Sequence, residues 1–330
     1  MRILHLLYES RGDFFGVGGV GTRAYEIYSR LRDRHDVCLM CRKYPGAKDG
    51  IIEGLHHFYV GIESRSFTKT LLAYARGASR YVREQGHRFD LVIEDFSPAV
   101  PTFLFTYTAR PLILQVQGHT GTEYFRKYSP FLSVPLYLYE RWVPRLYRNF
   151  IFVSEASMAR YTLGGRKMTR VISNGISEEL LRIESGESDY ILYLGRIDVR
   201  SKGLDLLLDA FGELSKAHPE MRLVIAGDGR DREKFRRLYH RLPQSTRTRI
   251  ELAGWVEGER KRFLLKNALL VVVPSRHETQ GIVVLEAAAA SKALVVSDID
   301  EFQPAATAGA AVTFHRGDSI DLARQMDSLL

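Results

Sequence analysis

The chain has 330 residues, of which 45% are hydrophobic and 26% charged, and its formal net charge is +8 at pH 7. This length exceeds one ordinary compact core and suits two domains of about 150 residues. The balanced composition excludes a disordered chain. The sequence has no apolar run of the roughly 18 to 20 residues that a spanning helix needs. Residues 1–8 lack a small-residue cleavage site and predict a first strand instead of a signal peptide.

Strand-like and helical segments alternate along the chain, which predicts α/β domains with parallel sheets covered by helices on both faces. In the first half we expect strands near 2–8, 36–41, 55–60, 90–94, 111–117, 150–153 and 169–172. Helices are expected there near 19–33, 67–86, 98–108, 130–148 and 155–163. In the second half we expect strands near 190–194, 221–227, 250–254, 269–273 and 293–297, and a last helix near 318–329.

The two cysteines, Cys38 and Cys41, form a C-x-x-C pair, which is compatible with a redox or metal site. They fall in a predicted strand, where positions three apart point to opposite faces, and no second pair could complete a metal site. We therefore predict a structural role for both. Their small number favours a cytoplasmic location.

A glycine-rich loop follows the first predicted strand. Its sequence Gly16-Val17-Gly18-Gly19-Val20-Gly21 matches the G-x-G-x-x-G pattern of dinucleotide sites. However, about seven residues separate the glycines from the strand end, and the second strand ends in Cys41-Arg42 instead of an acid that could hold a ribose. A nicotinamide site is therefore the less favoured interpretation of this loop.

The segment from Val273 to Asp298 predicts a strand, a turn and a helix. The turn formed by Thr279, Gln280, Gly281 and Ile282 would present unpaired amides and the positive end of a helix dipole, which suits a phosphate. Glu278 and Glu286 bracket this turn, eight positions apart. Because the neighbours of Glu286 are nearly all apolar, we do not expect its carboxylate to be merely solvated.

Two cations precede this segment in the second half of the chain. Arg196 comes just after a predicted strand, and Lys202 is expected to start the following helix. Both would then lie at the carboxyl end of a parallel sheet, where open α/β folds bind ligands. We expect them to face the phosphate cradle.

The E-x7-E spacing in the frame PSRHETQGIVVLEA, with the G-R and K-G elements at Arg196 and Lys202, resembles the signature of GT4-family retaining glycosyltransferases. The resemblance covers most of the chain and implies the GT-B fold, in which two Rossmann-like, doubly wound domains face each other across a cleft. Residues 1–175 would form the acceptor-side domain, 176–188 the linker and 189–330 the nucleotide-sugar domain.

This resemblance also implies the chemistry. A sugar would pass with retention from a nucleotide diphosphate sugar, with a UDP-sugar as the expected donor, to an acceptor hydroxyl, without a metal or a separate cofactor. Arg196 and Lys202 would stabilise the leaving diphosphate, Glu278 would bind the donor sugar and Glu286 the ribose. The base pocket is expected at Gly229, Trp255 and Val256. The loop glycines Gly18, Gly19 and Gly21 would let the backbone approach the donor phosphates or the acceptor.

The sequence departs from the family pattern in places. Gln117 holds the position of the family's histidine near the reacting sugar, and His119 follows two residues later, so both are candidates. Ser291 and Ala293 stand where glycine and proline are usual. The chain ends at Leu330 without the expected terminal crossover helix, which indicates either a compact or a truncated member.

Other functions remain open at this point. A nucleotide-sugar epimerase would use the same fold, and an NAD(P)-dependent oxidoreductase would use the first glycine loop. A nucleic-acid partner is not expected, despite a pI of 9.4, because no DNA- or RNA-binding module is recognisable. Most of the positive charge lies in residues 1–150, so this half is expected to meet something anionic.

A membrane surface is one such partner. The predicted helix 67–86 carries a basic face, and residues 124–150 combine aromatic and basic side chains; this predicts a peripheral position at the inner membrane surface. A solvated face for the first and core packing or sugar stacking for the second are the alternatives. The basic face is formed by Lys69, Arg76, Arg80 and Arg83.

Overall fold

The computed structural model of the protein describes residues 1–10, 18–184, 186, 189–229 and 231–330. Its contacts divide the chain into two units, Met1–Asn174 and Gly175–Leu330. Each unit has its own sheet and its own hydrophobic clusters. Residues 176–188, the predicted linker, include the 3-10 helix Glu178–Arg182. Residues 185, 187 and 188 of that stretch lie outside the described part.

Unit 1 is built around a sheet in which every described strand but one runs parallel to its neighbours. Its strands are β1 (Arg2–Leu6), β2 (Asp36–Arg42), β3 (Gly50–Ile52), β4 (Leu55–Val60), β5 (Leu91–Asp95), β6 (Leu112–Val116), β7 (Asn149–Phe152) and β8 (Met168–Val171). Its α-helices are α1 (Gly19–Leu31), α2 (Phe67–Gln85), α3 (Tyr124–Lys127), α4 (Pro130–Trp142) and α5 (Glu155–Ala159). Short 3-10 helices cover Gly86–Arg88, Leu104–Thr106, Gly121–Glu123 and Val143–Leu146.

The strand order of this sheet is β3-β4-β2-β1-β5-β6-β7-β8, and only the edge pair β3–β4 is antiparallel among the described strands. Hydrophobic clusters cover both of its faces. Cys38 packs against a cluster on one face and Cys41 lies in a cluster on the other, and both are free thiols. Their side chains therefore point to opposite faces of β2, as the spacing predicts.

Unit 2 is a second parallel α/β layer structure. Its strands are β9 (Tyr190–Leu194), β10 (Arg222–Ala226), β11 (Ile250–Gly254), β12 (Leu270–Val273), β13 (Ala293–Ser297) and β14 (Val312–Phe314). Its helices are α6 (Leu204–Ala217), α7 (Arg232–Tyr239), α8 (Gln244–Arg247), α9 (Gly258–Asn267), α10 (Ile282–Ala289), α11 (Gln303–Thr307) and α12 (Ser319–Asp327), with a 3-10 turn at Asp300–Phe302. The strand order is β11-β10-β9-β12-β13-β14, and all described pairs are parallel.

The central strands of unit 2 determine where its functional loops lie. β9 and β12 are neighbours, and every residue of both strands is buried. Because parallel strands end at the same edge, the loop after β9 and the loop after β12 emerge side by side. These two loops carry Arg196, Lys202 and Glu278.

Some predicted elements differ from the structure. The predicted helix 98–108 is wrong: this stretch contains only the 3-10 helix Leu104–Thr106, because Pro98 and Pro101 interrupt helical hydrogen bonding and Phe103 has a φ of 52°. Another predicted helix, 155–163, already ends at Ala159. The three-residue strands β3 and β14 were not expected.

Candidate functional site

Glu278 lies in the loop between β12 and α10, and only 12% of its side chain is exposed. Its Oε1 accepts a hydrogen bond from Lys202 Nζ and another from Ser275 Oγ at 3.0 Å. Burial alone would raise the pKa of Glu278. The charge and hydrogen bond of Lys202, the hydrogen bond of Ser275 and the charge of Arg196 outweigh this effect, so its pKa lies below the ordinary value. The carboxylate is therefore held in its ionised form.

Lys202 reaches Glu278 from a tight turn before α6. The sequence predicted that Lys202 starts the helix, but α6 begins at Leu204, because Gly203 adopts the left-handed conformation with a φ of 66°. A Cβ atom on Gly203 would lie 1.9 Å from the carbonyl oxygen of Pro274. Only glycine therefore allows this turn to touch the loop that carries Glu278.

A second contact holds the same two loops together. Arg276 donates two hydrogen bonds to the carboxylate of Asp205, at 2.7 and 2.8 Å. The backbone amide of Arg276 also donates to the carbonyl of Ser201 at 2.9 Å. A bidentate Arg–carboxylate pair restricts geometry more than a single ion pair does. These backbone and side-chain contacts between the two loops therefore help to hold Lys202 and Glu278 close together.

Arg196 lies in the loop after β9, with its side chain exposed. The hydroxyl of Tyr193 donates to its carbonyl at 2.8 Å and holds this loop against the strand. Gly229, predicted near the base pocket, packs against the same loop: a Cβ there would lie 2.5 Å from the carbonyl oxygen of Ile197. The lack of a side chain at Gly229 therefore serves close backbone packing.

The helix α10 begins directly after Gly281, which is its N-cap with a φ of 70°. A Cβ on Gly281 would lie 2.5 Å from the ring of Phe302, so glycine is required by both space and backbone conformation. Thr279 and Gln280 precede it and are half-buried. The predicted cradle, from Thr279 to Ile282, thus consists of two loop residues, the N-cap and the first residue of a helix.

Glu286 lies on α10 and is 7% exposed. Its Oε1 is 2.6 Å from Lys261 Nζ on α9, while none of the described residues donates a hydrogen bond to its buried Oε2. Sequence reasoning missed Lys261, which lies on a different helix, five residues after Val256.

The predicted base pocket also includes Trp255 and Val256. Trp255 is 52% exposed, whereas the side chain of Val256 packs into the core, so only the backbone of Val256 could face a base.

In unit 1, Gly18 is the N-cap of α1, and Gly19 begins the helix. The amides of Gly18 and Gly21 donate to the Oε2 of Glu9, at 2.9 and 3.0 Å. Gly16 and Val17 of the predicted motif lie outside the described residues. A phosphate could use the amides of Gly18 and Gly21 only by displacing the Glu9 carboxylate.

Gln117 and His119 follow β6 and have different partners. Gln117 Nε2 donates to Asp95 at 2.9 Å. The ring of His119 packs edge-on against Tyr161, and its Nε2 lies 3.7 Å from the buried carboxylate of Glu140. Burial lowers the pKa of His119, against the opposing effect of Glu140. The structure thus groups Arg196, Lys202 and Glu278 in unit 2, whereas Gln117 and His119 belong to separate networks of unit 1.

Two further properties concern the described part of the chain as a whole. Its His, Cys, Asp and Glu side chains form no group of three or more that could hold a metal ion. None of its helices combines the length and the apolar character needed to cross a bilayer.

Two family models match this chain. Glycosyltransferase Family 4 matches residues 17–180, and Glycosyl transferases group 1 matches residues 188–330. An uncharacterized glycosyltransferase of Methanocaldococcus jannaschii is 38% identical over 109 residues, which are 33% of this chain and only 27% of that protein. A glycogen synthase of Mycobacterium tuberculosis is 27% identical over 316 residues, covering 86% of this chain and 75% of the synthase.

A solved structure extends the likeness to the whole fold. HepE of Anabaena, in complex with UDP and glucose, has a TM-score of 0.73 at 19% identity. The match covers 99% of this chain and 89% of HepE. With its two parallel-sheet α/β domains of the GT-B type, the chain belongs to the GT4-type glycosyltransferases.

Proposed function

We propose that this protein is a retaining hexosyltransferase that moves a sugar from a nucleotide diphosphate sugar to an acceptor hydroxyl of a glycan, a glycolipid or a small molecule. The observation that carries the proposal is the group formed by Arg196, Lys202 and Glu278 close to the N-terminus of α10. Two cations and a helix N-terminus are the groups that a departing diphosphate needs.

The chemistry follows from where charge develops. When the bond between the anomeric carbon and the diphosphate oxygen breaks, the bonding electrons move to the diphosphate. Arg196, Lys202 and the first amides of α10 stabilise that charge more strongly in the transition state than in the bound donor. Glu278 accepts a hydrogen bond from the donor sugar, and Glu286 accepts from the ribose. The acceptor attacks from the face of the leaving group, and the departing phosphate takes its proton.

The donor is identified by ligand-observed NMR with UDP-, GDP-, ADP- and dTDP-sugars and with NAD as a control. The UDP-sugars come first, because HepE was solved with UDP and with glucose. We expect saturation of one nucleotide sugar, lost in Arg196→Met and kept in Arg237→Met, which removes an exposed cation of α7. Binding of NAD alone, or equal binding by both variants, would contradict the proposal.

Retention and metal independence are tested on the product. The anomeric coupling constant in the proton spectrum of the product should match that of the donor, and EDTA should leave the rate unchanged. An inverted product would exclude same-face attack. If EDTA lowered the rate and added Mg²⁺ restored it, Arg196 and Lys202 would not suffice to stabilise the leaving diphosphate.

The membrane proposal concerns α4 and the 3-10 turn after it, in unit 1. Phe131 is 94% exposed and Trp142 is 53% exposed. The guanidinium of Arg145 lies 4.2 Å from the centroid of the Trp142 ring, so a cation and an exposed aromatic ring form one surface. Apolar rings beside basic groups suit the boundary between anionic headgroups and acyl chains. We expect this surface to bind the cytoplasmic face of a membrane.

Vesicle sedimentation tests this surface. The protein should sediment with phosphatidylglycerol vesicles, less with phosphatidylcholine vesicles, and less at high salt. Phe131→Ser should reduce binding to the anionic vesicles, whereas Phe263→Ser, which removes a phenylalanine ring of unit 2 that is 64% exposed, should not. Equal sedimentation of the two variants would refute the role of α4.

A further inference from the structure

The helices α2 and α4 lie on the same face of the unit 1 sheet. Val92 of β5 pairs with Leu112 of β6, so the two side chains point to one face. Val92 packs with the buried side chains of α2, and Leu112 packs against the cluster that also contacts Tyr139 of α4. The helix α1 packs against Ile93, whose side chain points to the opposite face.

The segment between β5 and β6 connects these two helices. The hydroxyl of Ser79 on α2 donates to the carbonyl of Thr102 at 2.6 Å. The ring centroid of the next residue, Phe103, lies 5.3 Å from the ring centroid of Tyr139 on α4. Because Phe103 is 40% exposed, an apolar ring reaches the solvent between α2 and α4.

The solvent-facing side of α2 is basic. Its exposed cations lie opposite the buried residues of the helix; they are Lys69, Arg76, Arg80 and Arg83. Glu84 is the only acid of α2. None of the described carboxylates lies within ion-pair distance of these cations. Their charge is therefore available to an external anion.

The solvent-facing side of α4 is apolar. Phe131, Leu138 and Trp142 are 94%, 47% and 53% exposed, and their spacing places them on one side of the helix. Glu140, the only acid of α4, is buried and accepts hydrogen bonds from two backbone amides of the loop after β6. The exposed side of α4 thus carries no negative charge that would oppose an anionic partner.

We propose that the outer side of this helix layer, from the cations of α2 across Phe103 to the rings of α4, is one docking surface for a bilayer with anionic phosphate headgroups. This inference rests on the proposed membrane role of α4 and extends it to α2. Charge complementarity favours phosphate, because guanidinium groups bind its oxygens. The exposed rings favour a bilayer over a soluble polyanion, which has no acyl region. An apolar contact and a basic patch together hold a protein on a membrane more firmly than either alone.

Vesicle binding tests the contribution of α2. The variant Arg76→Gln/Arg80→Gln/Arg83→Gln removes three charges from α2 and leaves α4 intact. Each cation near an anionic surface strengthens binding about fivefold, so this variant should bind phosphatidylglycerol vesicles on the order of a hundredfold more weakly than wild type.

A matched control removes the same charge elsewhere. The variant Lys234→Gln/Arg237→Gln/Arg241→Gln changes exposed cations in and after α7 of unit 2, and it should bind within about twofold of wild type. Equal weakening by the two triple variants would show that only net charge matters. Wild-type binding by both would show that α2 does not meet the lipid. Either result would overturn the inference.

Tryptophan quenching by phosphatidylglycerol with brominated acyl chains reports which helices meet the bilayer. The native tryptophans, Trp142 and Trp255, are replaced by phenylalanine, and a single tryptophan is introduced by Leu72→Trp on α2 or by Ser29→Trp on α1. Both positions are exposed. We expect quenching in Leu72→Trp and in a protein that keeps Trp142 alone, but not in Ser29→Trp. Quenching of Trp142 without quenching in Leu72→Trp would refute a shared surface.

The outcomes separate this inference from the proposed function. If Phe131→Ser lowers sedimentation while the α2 variant binds like wild type, the membrane role of α4 stands and the inference is overturned. If wild type does not bind anionic vesicles, both membrane proposals fail, and donor binding by NMR still tests the transferase separately. Tighter binding to heparin than to vesicles, unchanged by Phe131→Ser, would identify a soluble polyanion as the partner and overturn the inference.

Discussion

The contact between Lys202 and Glu278 predicts a separable effect on stability and on activity. The side chains of Lys202 and Glu278 are only 17% and 12% exposed, so the substitution Lys202→Met leaves a buried carboxylate without its strongest partner. Breaking such a pair costs about 3 to 5 kcal/mol in a fully enclosed site. Ser275 and the charge of Arg196 remain, so we expect a loss of about 3 kcal/mol near neutral pH.

The pH dependence of this loss follows from the sign of the pKa shift. In wild type the pKa of Glu278 is lowered, so its stabilising contribution is present above the unfolded value and disappears as pH falls through the folded value. In Lys202→Met burial dominates and raises that pKa, so the free energy of unfolding should instead decrease as pH rises above about 4.5.

Urea unfolding measures the effect. Trp142→Phe as a background leaves Trp255 as the tryptophan reporter, which lies in unit 2. Adding Glu278→Gln to Lys202→Met should restore most of the lost stability, because no buried charge remains, but it should not restore sugar transfer. An unchanged unfolding midpoint in Lys202→Met, or no recovery in the double variant, would refute the reasoning.

Three more predictions concern other parts of the two units. Lys261→Met should raise the Kd of the nucleotide sugar about tenfold, because Glu286 loses the ammonium group that lies 2.6 Å from its carboxylate. Titration calorimetry measures this Kd, with Lys266→Met, which removes an exposed lysine, as the control. Equal affinities of the two variants would contradict the prediction. Burial raises the pKa of Glu94 to about 7, so the wild-type free energy of unfolding should fall by about 3 kcal/mol between pH 4.5 and 7. In Glu94→Gln the free energy of unfolding, measured with urea, should not show this decrease. A decrease equal to that of wild type would show that Glu94 is not its source. Gly281→Ala should lower the free energy of unfolding by about 2 kcal/mol or more, from positive φ and the clash with Phe302; an unchanged melting curve would show that the turn relaxes freely.

The grouping of the candidate residues Lys202, Glu278 and Glu286 around one loop and helix could be predicted from the sequence because its parts are short and local. Glu278, the turn and Glu286 lie in one continuous segment, and alternation of apolar strands with helices indicates which sheet edge carries the loops. The closeness of Lys202 to this segment depends on β9 and β12 being neighbours. The sequence did not predict this strand order, since spacing alone does not determine which parallel strands pair.

What could not be predicted depends on contacts between distant segments. Lys261 reaches Glu286 across 25 positions, and Asp95 reaches Gln117 across 22. No local pattern marks either pair, because the two partners lie in different segments of the chain. The predicted helix 98–108 is absent for a local reason, because Pro98 and Pro101 interrupt the hydrogen bonds of a helix.

The carboxylate of Glu9 changes what the first glycine loop means for ligand choice. A phosphate-binding glycine pattern normally indicates backbone amides that are free to bind an anion. Here the amides of Gly18 and Gly21 already donate to the carboxylate of Glu9. A second anion arriving at this helix end meets repulsion as well as competition. A neutral polyol can instead donate its hydroxyls to the same carboxylate. The Glu9 carboxylate therefore makes this helix N-terminus less favourable for an anion than one with vacant amides would be.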